Sequence, residues 1–173
     1  MKHLKYFNYV IKHKWFVLVA GLRLGRVNLW QLIIHDWHKF LPDEWLPYVI
    51  YFYGSGKEAH EIKSRFDVAW NAHQNRAKHH YQYWHLWNDD GEKYHLPMPE
   101  KYVREMVADW MGAGRAITGK WEMEAWFLDT HHKKDMCCHT WLILGDIFEE
   151  LKMTEASSRA YETGIHVQHN IGW

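Results

Sequence analysis

Cysteine is nearly missing from the chain. Cys137 and Cys138 are its two cysteines, adjacent to each other and without C-x-x-C spacing. That excludes a disulfide framework and a thiolate zinc cluster, and it points to a reducing, cytoplasmic compartment. Neither sign of charge is in surplus: 21 Lys and Arg balance 21 Asp and Glu, with no long run of one sign. A general electrostatic surface for nucleic acid or membrane is therefore not expected, a local basic groove aside. Long apolar runs are missing too. The basic stretch MKHLKYFNYVIKHKWFVLVAG is uninterrupted only from Trp15 to Gly21, too short to span a bilayer. It has a weak likeness to a signal peptide but reads as a globular helix. A Walker loop, G-x-S-x-G, G-x-G-x-x-G and H-E-x-x-H are all absent.

What is present is helix and aromatic mass. A length of 173 residues suits one domain with a real core. The 12 Trp and 10 Tyr fill cores and ligand pockets alike, whereas the 15 His carry more information, because imidazole binds metals and titrates near neutrality. Apolar spacing predicts a first helix ending near Gly21 or Gly25, a second capped by Asn28 and running to about Phe40, and a short one after a break at Pro42. A fourth is expected from about Lys57 to Asn75. NDDGEKYHLPMP, residues 88–99, reads as a long loop. Glu100 to about Thr118, Lys120 to His132 and Cys137 to Leu151 read as three more helices. With no alternating strand pattern, the class is all-α, as one helical bundle over residues 1–153. Residues 154–173 lose periodicity and are expected to form an extended or partly ordered tail.

LIIHDWHKF, residues 32–40, poses the functional question. Leu29, Ile33 and Phe40 share one helical face, and the spacing puts Asp36 on it as well. A buried carboxylate needs a hydrogen-bond network or a metal ion. Other polar residues are stranded in the same way: His13 between Val10 and Val17, His73 after Ala69 and Trp70, and Asp109 between Met106 and Ala113. Each alone reads as a hydrogen-bonded core residue. Together, on separate helices, they form a candidate metal site, and imidazole with carboxylate but no thiolate suits Fe, Mn, Zn, Ni or Mg.

The order of these residues resembles the HD-domain metal-dependent phosphohydrolases: a His (His13), a His-Asp doublet (His35-Asp36), further His residues (His73 with His79 or His80), then a late Asp (Asp109). HDWHK is similar to the HD-x-x-K form of the doublet, with Lys39 in the lysine position and His38 where a small residue is usual. More closely, HDWHKF, FDVAWNAHQNRAKHHYQYW and ADWMGAG resemble an uncharacterised family of small phage and bacterial HD-like proteins over residues 5–150.

The resemblance implies an HD-like bundle holding one or two divalent ions (Mn, Fe, Co, Zn, Ni or Mg). His13, His35, Asp36 and Asp109 would hold the first; His73 and His80 would hold a second, bridged by Asp36. The implied activity is hydrolysis of a small-molecule phosphate ester, a nucleotide first among them, by a nucleotidase or phosphodiesterase in the cytoplasm, the host's if phage-encoded. Lys39 and an arginine from among Arg23, Arg76 and Arg115 would offset phosphoryl charge, each arginine reading equally as a solvated charge. Trp37, Trp70, Tyr81, Trp84 and Trp110 are core residues or a stacking surface for a base. His38, His60, His85, His95, His131, His132, His139, His166 and His169 are read as surface or locally hydrogen-bonded. Two rival classes are an HD-fold binding protein without catalysis, such as a phage inhibitor, and an HD-type di-iron oxygenase. Homo-oligomerisation is left open.

Overall fold

Eight α-helices account for most of the chain in the computed structural model, which describes residues 1–56 and 62–171, with side chains to residue 168. Helix α1 (Lys2–Leu24) turns Tyr6, Val10, His13, Val17, Ala20 and Leu24 inward at spacings of three and four. It stops at Gly25, whose φ of 64° suits a residue without a Cβ. Asn28 caps α2 (Leu29–Ile34) by accepting from the Trp30 amide at 2.8 Å. Pro42 opens α3 (Pro42–Tyr53), where its missing N–H costs nothing. After it come α4 (Lys63–Arg76), α5 (Glu100–Thr118), α6 (Glu124–Thr130), α7 (Cys138–Glu150) and α8 (Thr154–Ile171).

Two apolar clusters hold the helices together. The larger gathers Val17, Leu32, Met106, Val107, Phe127, Trp141 and Phe148 from α1, α2, α5, α6 and α7, with Ala156 and Ala160 of α8. The smaller joins Tyr6 and Val10 of α1 to Tyr48 and Val49 of α3 and Ala69 of α4. Helix α1 therefore runs through both, and His13 sits between Val10 of one and Val17 of the other. Helices α1 and α5 approach closely at Gly112, where a Cβ would lie 2.6 Å from Val17 Cγ2 and 2.7 Å from its backbone nitrogen.

The all-α expectation holds, with four local departures. The second helix does not run to Phe40. It ends at Ile34, Asp36 takes the left-handed conformation (φ 54°, ψ 25°), and a 3₁₀ turn follows over Trp37–Phe40. Leu29, Ile33 and Phe40 are exposed, so Asp36 is not buried by sharing their face. The expected loop 88–99 contains strand β2 (Lys93–His95), paired antiparallel with β1 (His85–Trp87). The C-terminal segment is not extended: α8 packs on α7 through the small buried residues Ala156, Ser157 and Ala160. The expected helix start at Lys57, His60, and the side chain of His169 lie outside the described residues. None of the helices searched among them is long and apolar enough to cross a membrane.

Candidate metal centre

Asp36 is the hinge of the site. Aspartate tolerates the left-handed conformation better than most residues, and this kink drives its carboxylate into the junction between the two apolar clusters, where it is 3% exposed. The turn is closed by the Lys39 amide donating to the Asp36 carbonyl at 3.0 Å.

Around Asp36 Oδ2 stand His13 of α1, His35 at the end of α2 and Asp109 of α5. The separations are 3.5 Å from His13 Nε2 to Asp36 Oδ2, 3.3 Å from His35 Nε2 to the same oxygen, and 3.1 and 3.3 Å from those two nitrogens to Asp109 Oδ1. Around Asp36 Oδ1 stand His73 Nε2 at 3.6 Å and His79 Nε2 at 3.4 Å, with His80 Nε2 a further 2.9 Å from His73 Nε2. One carboxylate thus serves two groups, His13-His35-Asp36-Asp109 and Asp36-His73-His79-His80, each with its ligand atoms within 4.8 Å of one another.

These residues fit a metal ion. Ligands about 2.0–2.2 Å from one ion lie about 3.0–3.5 Å from each other, which is the spacing observed in the first group. His13 Nε2, His35 Nε2, His79 Nε2 and Asp36 Oδ1 are buried without a hydrogen-bond partner. Buried polar atoms are rarely left so.

A second layer of carboxylates aims the imidazoles. Glu105 of α5 accepts from His35 Nδ1 at 2.9 Å and pairs with His79 Nδ1 at 3.3 Å, with Gln31 donating to it as well. Glu44 of α3 accepts from His73 Nδ1 at 3.0 Å, from His38 Nδ1 at 3.1 Å and from Arg76 at 2.9 Å. With Nδ1–H donating outward, the Nε2 lone pairs of His35, His73 and His79 face the centre, the arrangement that fixes tautomer and ring direction in metal sites.

The electrostatics agree. Burial opposes charge on Asp36 and Asp109, but His35, Lys39 and His73 around the first, and His13 and His35 around the second, hold both carboxyls well below the usual range. Glu44 and Glu105 are brought down to about 2 by their histidine donors against the same opposition. Burial also opposes a charge on His35, yet Asp36, Asp109 and Glu105 raise it well above the ordinary value. Burial pushes His73 and His80 down, helped at His80 by His79 and His73 beside it. Lys39 Nζ lies 2.6 Å from Asp36 Oδ2, and despite burial that pair pushes the ammonium pKa up. Asp36, Glu44, Glu105 and the partly buried Asp109 thus face one buried ammonium, the positive charge favoured at His35 and the partly exposed Arg76, a surplus of negative charge that a cation would balance.

Of the residues expected from sequence, His13, His35, Asp36, Asp109, His73, His80 and Lys39 all come together. His80 arrives differently than expected: α4 ends at Arg76, and a turn, with His80 N donating to the Ala77 carbonyl, brings both His79 and His80 inward. Arg76 is committed to Asp43 and Glu44. Arg23 lies over the Trp121 ring and Arg115 over Phe16 and Trp121, and neither lines a cavity at the centre. His38, read as surface or locally bonded, is buried on Glu44. Tyr81, Trp84 and Trp110 pack against the larger core, Trp37 is exposed, and Trp70 lies against His73. Sequence reasoning missed Glu44 and Glu105; the one signal was that Glu105 precedes Asp109 by four residues and shares its face. A separate trio, His85, His95 and Asp135, is more exposed, and Asp135 is bound by Lys93 at 2.5 Å.

Fold and site together define an all-α protein with buried His/Asp/Glu groups able to hold metal. Residues 2–150 match DUF5662, a family of unknown function, and the chain belongs to that family. No curated protein and no solved structure matches it.

Proposed function

We propose that this protein is a metal-dependent phosphohydrolase of the HD-domain type, acting on a small phosphate ester, with nucleotides the first class to test. One observation carries the reading: Asp36 of the His-Asp doublet offers one oxygen to each of two buried ligand groups while the Lys39 ammonium stands beside it. Divalent ions of the kind this donor set favours (Mn, Fe, Co, Zn, Ni or Mg) supply Lewis acidity that makes hydroxide available near neutral pH and neutralises phosphoryl charge.

The chain's own residues do the rest. Glu105 and Glu44 hold His35, His79 and His73 with Nε2 turned inward. Lys39 offsets charge building on the phosphoryl oxygens. In the reaction, water oxygen bonds to phosphorus, the ester P–O bond breaks, and the alcohol leaves with a proton, giving inorganic phosphate from a monoester or a phosphate monoester from a diester.

The test is metal content of the purified full chain, then product formation, followed chromatographically, from nucleotides, cyclic nucleotides and dinucleotides with each metal supplied. Turnover that disappears with chelation and returns with metal supports the proposal. Bound metal with no ester hydrolysed overturns it in favour of a binding protein, and dioxygen consumption by the iron form overturns it in favour of an oxygenase.

A further inference from the structure

Two openings reach the centre from different sides. One is a cavity of about 590 Å³ walled by Tyr6, Tyr9, Tyr48, Phe52, Tyr53 and Trp70. His13, His73, His80 and Asp109, ligands from both groups, form its floor together with Lys39. The other is a cleft of about 430 Å³ that meets the centre at His35, His79 and Glu105, the side on which Nδ1 of both rings is engaged by a carboxylate. Both openings meet ligands of both groups, but Lys39 lines only the cavity and the cleft side of His35 and His79 is taken up by Glu105, so the cavity is the substrate side.

Its lining is unusual in charge. Lys39 is the one lysine or arginine among the described residues of the lining, and it is already paired with Asp36. Lys78 and Lys101, which lie against the Tyr102 ring, line the opposite cleft together with Arg76. A single phosphoryl group can be neutralised on the floor of the cavity. A second or third would be desolvated among tyrosine rings, where the described lining holds no further lysine or arginine. Among the lining residues, Tyr6 and Tyr48 have hydroxyls that are buried and make no hydrogen bond. Such buried hydroxyls call for a ligand group to pair with, and the rings and Trp70 offer apolar faces beside them.

We propose that the cavity selects a phosphate monoester with one phosphoryl group on an uncharged, hydroxyl-bearing ring, a sugar or nucleoside, and that Tyr6 and Tyr48 are the residues that recognise the ring. The proposal rests on the phosphohydrolase reading for its reaction, not for its binding mode.

The metal-loaded full chain is assayed with AMP and ATP as a matched pair. The expected kcat/KM is at least about tenfold higher for AMP, because the extra phosphates find no partner. Binding of the non-hydrolysable phosphonate analogue of AMP is measured by calorimetry in parallel. Tyr6→Phe and Tyr48→Phe, which keep the ring and remove one oxygen, weaken that binding by about three- to tenfold each, the worth of one hydrogen bond, with metal content and melting temperature retained. Lys78→Ala and Lys101→Ala leave the AMP to ATP ratio unchanged. A preference for ATP or a dinucleotide, a ratio controlled by Lys78 or Lys101, or unchanged analogue binding in both tyrosine variants overturns the proposal. If no ester is hydrolysed but the analogue still binds through Tyr6 and Tyr48, the phosphohydrolase reading fails and the binding assignment stands.

Discussion

Replacing Glu105 by Gln isolates what the second layer of carboxylates contributes. Glu105 is 4% exposed and touches one imidazole from each ligand group, His35 at 2.9 Å and His79 at 3.3 Å. Both rings approach the same oxygen, Oε1, while Oε2 accepts from Gln31, so glutamine keeps the volume but removes the negative charge facing the two imidazoles and sets its NH₂ against that of Gln31. Loss of such a partner costs about 10–100-fold in metal affinity, or about 1.4–2.8 kcal/mol. The metal-free fold is affected as well. The Glu105 carboxyl is lowered from 4.5 to about 2, a difference worth about 3 kcal/mol. Because the folded value is depressed, that stabilisation is present above pH 4.5 and is lost as pH falls towards 2. Two assays follow: competition with a chelator for metal at pH 7, and thermal unfolding of the metal-free protein between pH 5 and 2. Glu105→Gln should bind metal more weakly and show a shallower acid decline. Affinity within about twofold of the parent, with an identical acid limb, would refute the account of Glu105.

Asp36→Asn keeps a residue suited to the left-handed turn but weakens both ligand groups at once. It should lose all bound metal with helical circular dichroism unchanged, and full metal retention would remove Asp36 from the centre. Lys39→Ala should retain metal, since ammonium is no ligand, and lose phosphate-ester hydrolysis by at least about tenfold, or about 1.4 kcal/mol; unchanged hydrolysis would reduce Lys39 to a counter-charge. Gly112→Ala forces a methyl against Val17 and should destabilise the fold by about 1–3 kcal/mol. Because α1 and α5 carry His13 and Asp109, it should also weaken metal binding; an unchanged melting temperature would show that the two helices can separate freely.

The helical class was legible because apolar periodicity is a strong signal over long elements such as α1 and α5. His13, His73 and Asp109 were legible as polar residues interrupting that periodicity, and all three are at the centre. Periodicity failed where a backbone kink replaced it. Leu29, Ile33 and Phe40 looked like one helical face, yet Asp36 reaches the interior through a left-handed turn that leaves those side chains in solvent. Glu44 and Glu105 escaped because a glutamate in a helix reads as a solvated charge until its partners are known. Helix α8 escaped for a different reason: alanine and serine let α7 approach closely but contribute little to an apolar pattern. His79 and His80 stood at the end of a helix whose continuation the sequence left open, and a turn resolved the ambiguity by bringing in both.

The most direct measurement is an anomalous-scattering map of crystals grown with manganese or iron. Two peaks per chain are expected, one among His13, His35, Asp36 and Asp109 and one among Asp36, His73, His79 and His80, with Asp36 reaching both. A map with no peak at Asp36, or with its metal at the His85, His95 and Asp135 trio instead, would contradict the account.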